Sequence, residues 1–342
     1  MKFKTKLRQL TLAATISSMA ITIVPSEILG AEISQDNRNH SRPERWSAEN
    51  PHNVNESTHL WLAQDAINRL ARNQDDIKQN AAAFFNIPEY KTSFEQGLYD
   101  ADYLDEFNQG GTGKIYIDGY ISGGWKSHFY DPHTGKNYKG ETTPTARTEG
   151  TKYFELAGEY FKNREWEKAF YFLGVSTHYF TDVTQPMHAA NFTNFDLDNL
   201  NAVKFHSAFE NYVTEIQDSY KLSDNILPYY DLVFGDNYEY SYDLVFGDNY
   251  EYSYDSGDWI HFAALIAKIE APKIIRDEIF EQKYGHILSL SDFKIRLNNT
   301  WKQDLLIQEA IANSLMEAQR ITPAFLNLWF EKFVGLTKPE DR

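Results

Sequence analysis

Cysteine is absent from all 342 residues. No disulfide can form, and a metal ion would have to be held by nitrogen and oxygen donors without thiolate help. Cationic residues are outnumbered: 33 Lys and Arg stand against 49 Asp and Glu, a formal net charge of −16. That balance disfavours nucleic acid gripped by a basic surface and suits bound divalent cations that offset it. Long apolar runs are scarce. The run from Leu10 to Val24 is too short and too rich in Ser and Thr for a membrane span, and no later stretch approaches the required length, so no transmembrane segment is expected.

The amino-terminal region reads as processing signals. Lys2, Lys4, Lys6 and Arg8 precede the Leu10 to Val24 run, and the small residues Gly30 and Ala31 follow it, the layout of a secretory leader over residues 1–31. Residues 32–45 are polar with almost nothing to bury, which suggests a pro-peptide. Cleavage after Arg45 would make Trp46 the first residue of a soluble, secreted protein spanning 46–342. Residues 1–45 hold seven Lys and Arg and four Asp and Glu, so their loss takes the charge from −16 to −19. A secreted chain without disulfides needs another source of rigidity, and metal ions can supply it.

The chemistry-bearing stretch runs from Tyr171 to Glu210. It contains His178 with Asp182, then Gln185-Pro-Met-His188, then His206 with Glu210. Residues four apart share a helix face, so each His and carboxylate pair can offer two ligand atoms to one point. Imidazole with carboxylate is a donor set that zinc accepts. Pro186 interrupts the helical ladder just before His188 and re-aims that side chain, so His188 need not face the same ion as His178. The bland reading of one such pair is a satisfied polar contact on a solvated face. Two pairs and a further His within forty residues, flanked by Phe170, Tyr171, Phe172, Leu173 and Val175, favour a buried site instead.

Elsewhere the pattern is helical, about 300 residues long and without a linker that would mark a second domain. Ser57 is a good N-cap for a helix through Arg72 with Leu60, Ala63, Ile67 and Leu70 on one face; His59 in its first turn would by default be a surface residue. Further helices are expected over 74–85, 92–99, 146–163 and 166–180, and three more between 258 and 333, with a kink at Pro323. Residues 104–124 break the pattern, and Asp118-Gly119 between alternating apolar residues predicts a small surface hairpin. Residues 231–242 and 243–254 repeat the same twelve residues, too short a period for a solenoid and best read as a duplication within a surface loop. For His40, His52, His133, His261 and His286, solvated or packed positions are expected.

Trp46-Ser-Ala-Glu49, Ser57-Thr-His59-Leu-Trp61, Gly97-Leu-Tyr-Asp-Ala-Asp102-Tyr103, Ser127-His-Phe-Tyr-Asp-Pro132, His178 to Asn194 and His206 to Glu210 form an ordered set. In that set the chain resembles the secreted zinc-dependent phospholipases C of Gram-positive bacteria, from Trp46 to about Phe333. The resemblance implies an all-α, single multi-helix domain with three zinc ions in a cleft, acting as a monomer on phospholipid at a membrane surface. By analogy Asp102, His128, His178 and Asp182 would bind one ion, and His188, His206 and Glu210 a second. The third would be held by the amino group and carbonyl of Trp46, by His59 and by a bridging Asp182. All nine positions carry the family's residue type. A terminal amine ligates zinc only once the pro-peptide is gone, so maturation would complete the site.

The activity implied is hydrolysis of phosphatidylcholine and related lipids to diacylglycerol and the phosphorylated head group. Clustered zinc would neutralise phosphate charge and activate water, with Asp102 as general base on family analogy and Asn194 at a phosphate-binding position. Glu49, Tyr103 and Trp125 match head-group positions where choline-preferring relatives keep an acid and two aromatics, which suits a quaternary ammonium. Relatives often carry Phe where this chain has Trp125, so choline, ethanolamine and serine head groups all stay open. The clostridial toxins of this family carry a lipid-binding β-sandwich that has no counterpart after Trp329, so calcium-dependent docking is not expected.

Two rivals remain. A secreted S1/P1-type zinc nuclease shares the fold, a Trp terminus and an Asp…Gln-Pro-x-His motif, but keeps Asp where this chain has Glu210, often has disulfides and lacks the Ser127 to Pro132 stretch. A catalytically idle, metal-stabilised lipid-binding protein would be marked by a lost ligand, and none is lost.

Overall fold

The computed structural model describes residues 50–104, 106–107, 115–117, 120–122, 125–193, 205–226, 228–229, 255–276 and 299–341. The expected leader and pro-peptide and the tandem duplication lie outside the described residues, as do residues 277–298 of the stretch expected to hold three helices.

The first helix, α1 (Thr58–Arg72), starts where the sequence puts it. The Ser57 hydroxyl accepts from the Leu60 amide, closing one of the open donors of the first turn. Helix α2 (Asp76–Phe84) is capped by Asp75, which accepts from the Ile77 and Lys78 amides. The expectation of a helix over 92–99 falls short at both ends: α3 runs Pro88–Tyr103. Pro88 ends nothing here. It occupies the first turn, where a missing N–H costs no hydrogen bond. As a result Asp102 sits on the last turn of a helix and not on the loop after it.

Residues Ile115–Ile117 (β1) and Tyr120–Ser122 (β2) pair antiparallel, with Ile117 opposite Tyr120, as the Asp118-Gly119 signal anticipates. Then come α4 (Ala146–Lys162), opened by a Thr145/Thr148 capping box, and α5 (Trp166–Val183). The short α6 (Pro186–Ala189) begins at the proline, so Pro186 separates His188 from the α5 axis as expected. Helices α7 (Phe205–Ile216), α8 (Ser256–Ile274) and α9 (Leu305–Phe333) follow. Pro323 lies inside α9, which runs through it as one element.

Two apolar cores hold the helices. The larger joins Leu60, Phe84, Phe94, Leu98, Phe154, Phe170, Tyr179, Phe180, Phe325, Trp329 and Phe330 from α1 to α5 and the second half of α9. The smaller joins Trp61, Leu62, Met187, Phe205, Phe209, Tyr212, Trp301, Ile311 and Leu315, which seats α7 against the first half of α9. The polar cluster described below draws side chains from elements of both. Burial of this aromatic surface is the main favourable term in folding.

Helices α3 and α5 approach each other closely. A Cβ at Gly97 would lie 2.0 Å from the Tyr171 carbonyl oxygen, and one at Gly174 would lie 2.1 Å from the Phe94 carbonyl oxygen. Reciprocal glycines let the two backbones touch, and that contact brings the end of α3 within reach of the turns of α5 that carry His178 and Asp182.

Candidate metal centre

Eight candidate ligands converge. His59 comes from α1, Asp102 from α3, His128 from the turn Lys126–His128, His178 and Asp182 from α5, His188 from α6, and His206 and Glu210 from α7. All are buried; His59, expected at the surface from its place in a first turn, is fully enclosed because α1 packs its first turn against α5. Their ligand atoms fall into three groups: His59, Asp102 and His178; His128, His178 and Asp182; His188, His206 and Glu210. His178 belongs to two of them, so those two positions share a wall.

The hydrogen bonds behind the rings decide which nitrogen faces inward. His178 Nδ1 is 2.7 Å from the Leu98 carbonyl, His188 Nδ1 is 2.8 Å from the His128 carbonyl, and His206 Nδ1 is 2.6 Å from the Phe192 carbonyl. A carbonyl only accepts, so each Nδ1 carries the proton and each neutral ring presents a bare Nε2 to the centre. His59 follows the same rule through a hydroxyl. Thr181 Oγ1 donates to its own helix at the Thr177 carbonyl, leaving a lone pair for His59 Nδ1–H at 2.6 Å. His59 Nε2 then has no hydrogen-bond partner, 3.7 Å from Asp182 Oδ1. His128 is the exception and turns Nδ1 inward, 2.7 Å from Asp182 Oδ2.

In the third group His188 Nε2 and His206 Nε2 are 3.0 Å apart, and Glu210 Oε1 is 3.1 Å and 2.9 Å from them. Three electron-rich atoms at such spacing, with the ring protons committed elsewhere, need a cation or an extra proton between them. Glu210 Oε2 is buried without a partner. In the first two groups His178 Nε2 lies 3.3 Å from Asp182 Oδ2 and 3.6 Å from Asp102 Oδ1. This nitrogen and oxygen donor set fits zinc, and the partnerless His59 Nε2 and Glu210 Oε2 fit it too.

Proton affinities in the metal-free protein follow the same geometry. Burial, with His178 alongside, pushes the His59 pKa down to about 3 despite the nearby Asp182. Burial would lift Glu210, but His206 and His188 outweigh it and hold the carboxyl at about 2. Asp182 is likewise held well below the carboxylate range, against its burial, by His178, His188 and His128. The counterpart is that His178 and His188 rise above their ordinary value, because Asp182 overcomes the burial that would lower them. Burial wins at His128, which is lowered. Without an ion, Asp182 makes a proton on the His178 and His188 rings more favourable than on a free imidazole.

Beside the centre, Tyr103 stacks on Tyr99 with ring centroids 4.1 Å apart. The Trp125 indole N–H donates to the Asp102 carbonyl at 3.3 Å, from a left-handed backbone (φ 66°) that a Trp adopts only at a cost of about 1–3 kcal/mol. Trp46, Glu49 and Asn194 lie outside the described residues. Three contributors escaped sequence reasoning: Thr181 and Gln185, which touch ligands without ligating, and Tyr99. Of these only Tyr99 had a readable signal, its i, i+4 spacing from Tyr103.

The sequence pattern of the zinc-dependent phospholipase C family matches residues 58–303. A phospholipase C of Bacillus cereus is 35% identical over 289 residues, covering 84% of this chain and 86% of that protein. A phospholipase C of Listeria monocytogenes is 27% identical over 338 residues, covering 97% and 99%. Among solved structures, the alpha toxin from Clostridium absonum aligns with a TM-score of 0.51 at 20% identity, over 84% of this chain and 66% of that one, which is a likeness of fold. Among the described residues no helix is long and apolar enough to cross a membrane.

Proposed function

This chain belongs to the zinc-dependent phospholipase C family, a phospholipid-hydrolysing zinc enzyme, and from that premise we propose that the eight buried side chains and the Trp46 terminus are its catalytic centre, holding three ions, with a choline-type head group bound beside them. The observation that carries this reading is the trio of His188 Nε2, His206 Nε2 and Glu210 Oε1 within 3.1 Å of one another, with both ring protons held by carbonyls on the far side. Asp102, His128, His178 and Asp182 would hold one ion; His188, His206 and Glu210 a second; His59, Asp182 and the amino group and carbonyl of Trp46 a third. The 3.7 Å gap between His59 Nε2 and Asp182 Oδ1 supports that last pairing. Zinc, when bound, supplies positive charge for the phosphate oxygens and makes water a better nucleophile.

The protein's own groups have separable tasks. Asp182 and Glu210 are 2% and 0% exposed; Asp102 is 8% exposed, with Oδ1 3.6 Å from His178 Nε2 and 3.8 Å from His128 Nδ1. As the most exposed of the three carboxylates it is the one best able to take a proton from water, which supports its role as general base. The aromatic faces of Tyr103 and Trp125, with Glu49, suit a quaternary ammonium through cation–π and Coulomb attraction. Asn194 would bind phosphate. We further propose a secreted monomer whose leader (1–31) and pro-peptide (32–45) are removed.

The test is release of phosphocholine from phosphatidylcholine vesicles. Hydrolysis should vanish on chelation and return with zinc, and Asp102→Asn should abolish it while vesicle binding persists. Cleavage of single-stranded nucleic acid in preference to lipid would refute the assignment.

A further inference from the structure

Gln185 connects two of the ligand-bearing segments, and both ends of its amide are engaged. It lies between α5 and α6, fully buried, with extended backbone (φ −87°, ψ 123°). Its Oε1 accepts from the Met187 amide and from the His188 amide at 3.3 Å, which caps α6. Two N–H donors facing one end fix the orientation of the group: that end is oxygen, so the nitrogen end faces α7. There Nε2 is 3.2 Å from Glu210 Oε1 and 3.4 Å from His206 Nε2. One side chain therefore holds the backbone of His188 and the carboxylate of Glu210, residues 22 apart in sequence.

We propose that Gln185 is a positioning residue for the ion held by His188, His206 and Glu210, an inference that rests on reading that trio as a zinc site. The physical reason is orientation. A glutamate side chain has three rotatable bonds, and its carboxylate has two oxygens that compete for the same ion. Gln185 Nε2 donates to Oε1, at 3.4 Å from His206 Nε2, and so orients the carboxylate while Oε1 stays against both imidazoles and Oε2 stays out of any hydrogen bond. The same residue sets the start of α6, so the direction in which His188 leaves the backbone and the direction of Glu210 are locked together.

The variant that separates capping from positioning is Gln185→Asn. Asparagine is among the best N-caps, so the amides of Met187 and His188 keep an acceptor, but it is one methylene shorter and no longer reaches Glu210. Zinc dissociation is followed by competitive chelator titration of the processed holoenzyme, with the thermal midpoint of the metal-free protein and the cobalt-substituted absorption spectrum as companions. The expected result is one ion weakened about 10- to 100-fold, the size typical of losing an outer hydrogen bond to a ligand, with the other ions and the metal-free midpoint unchanged and the cobalt bands shifted. Glu210→Gln, measured in parallel, should lose that same ion. Unchanged zinc affinity in Gln185→Asn, or a uniform loss of all ions together with a lower metal-free midpoint, overturns the positioning role while leaving the site standing. Full zinc retention in Glu210→Gln overturns the site itself.

Discussion

Replacing Gly174 by alanine tests how the α3/α5 contact builds the centre. The new methyl carbon would lie 2.1 Å from the Phe94 carbonyl oxygen and 3.0 Å from the Leu98 nitrogen, both backbone atoms that no side-chain rotation can move. Reaching an ordinary contact of 3.4 Å requires α3 to retreat by 3.4 − 2.1 = 1.3 Å at that point. The Leu98 carbonyl is on the retreating helix and now holds His178 Nδ1–H at 2.7 Å; adding 1.3 Å gives 4.0 Å, beyond hydrogen bonding. Asp102, one turn on, moves away from His178 in the same sense. Overpacking costs about 1–3 kcal/mol and the orphaned imidazole donor another ~1–3 kcal/mol, while alanine's better helix propensity returns about 1 kcal/mol. The net expectation is about 1–5 kcal/mol of destabilisation, a large part of the roughly 5–15 kcal/mol of a typical domain. Gly158→Ala is the control. The three atoms nearest its methyl all belong to the half-buried Phe333 ring, the closest at 2.3 Å, and a side chain can yield where backbone cannot, so the loss should be smaller than that of Gly174→Ala. Denaturant unfolding of the metal-free proteins gives the stabilities, and metal analysis of the loaded proteins gives the zinc content. Gly174→Ala matching the parent in both would refute the claim that backbone contact between α3 and α5 sets the ligand geometry.

Thr181→Val removes the acceptor that keeps the His59 proton on Nδ1, and one zinc should weaken about 10- to 100-fold while Thr181→Ser restores it; equal zinc affinity in all three proteins would count against a locked tautomer. Acidification should weaken zinc binding. Burial would lower His178 and His188, but Asp182 raises both above the usual imidazole value, so as pH falls these rings take up protons that zinc must displace, and affinity should begin to drop above pH 6.5. Calorimetric titration in buffers of different ionisation enthalpy would register the released protons, and binding without proton release near pH 7 would contradict the assignment. Finally, a protein processed to leave one extra residue before Trp46 should bind one zinc fewer than the correctly trimmed form; identical metal counts would exclude the terminal amine as a ligand.

What can be read without coordinates is whatever is local or chemical. Ser57 marks the start of α1 because capping depends on neighbours three residues away, and the pairs His178/Asp182 and His206/Glu210 share a face because helical periodicity says so; the structure puts them at 3.3 Å and 2.9 Å. Donor chemistry, with no cysteine and an excess of carboxylates, pointed to zinc through imidazole and oxygen. Local signals also misled where they were ambiguous: Pro88 serves equally as the end of one helix and the first turn of the next, and His59 in a first turn carries no mark of burial.

Tertiary structure alone decided which nitrogen of each ring faces the centre. The acceptors behind three of the rings are the main-chain carbonyls of Leu98, His128 and Phe192, up to 80 residues away, and a carbonyl is the same on every residue, so it leaves no trace in a sequence. The same holds for Gln185 and Thr181, whose side chains look unremarkable until the chain brings Glu210 and His59 beside them. Side-chain chemistry names the candidate ligands one position at a time; their orientation is a property of the packed backbone, because it depends on close contacts between segments that only folding brings together.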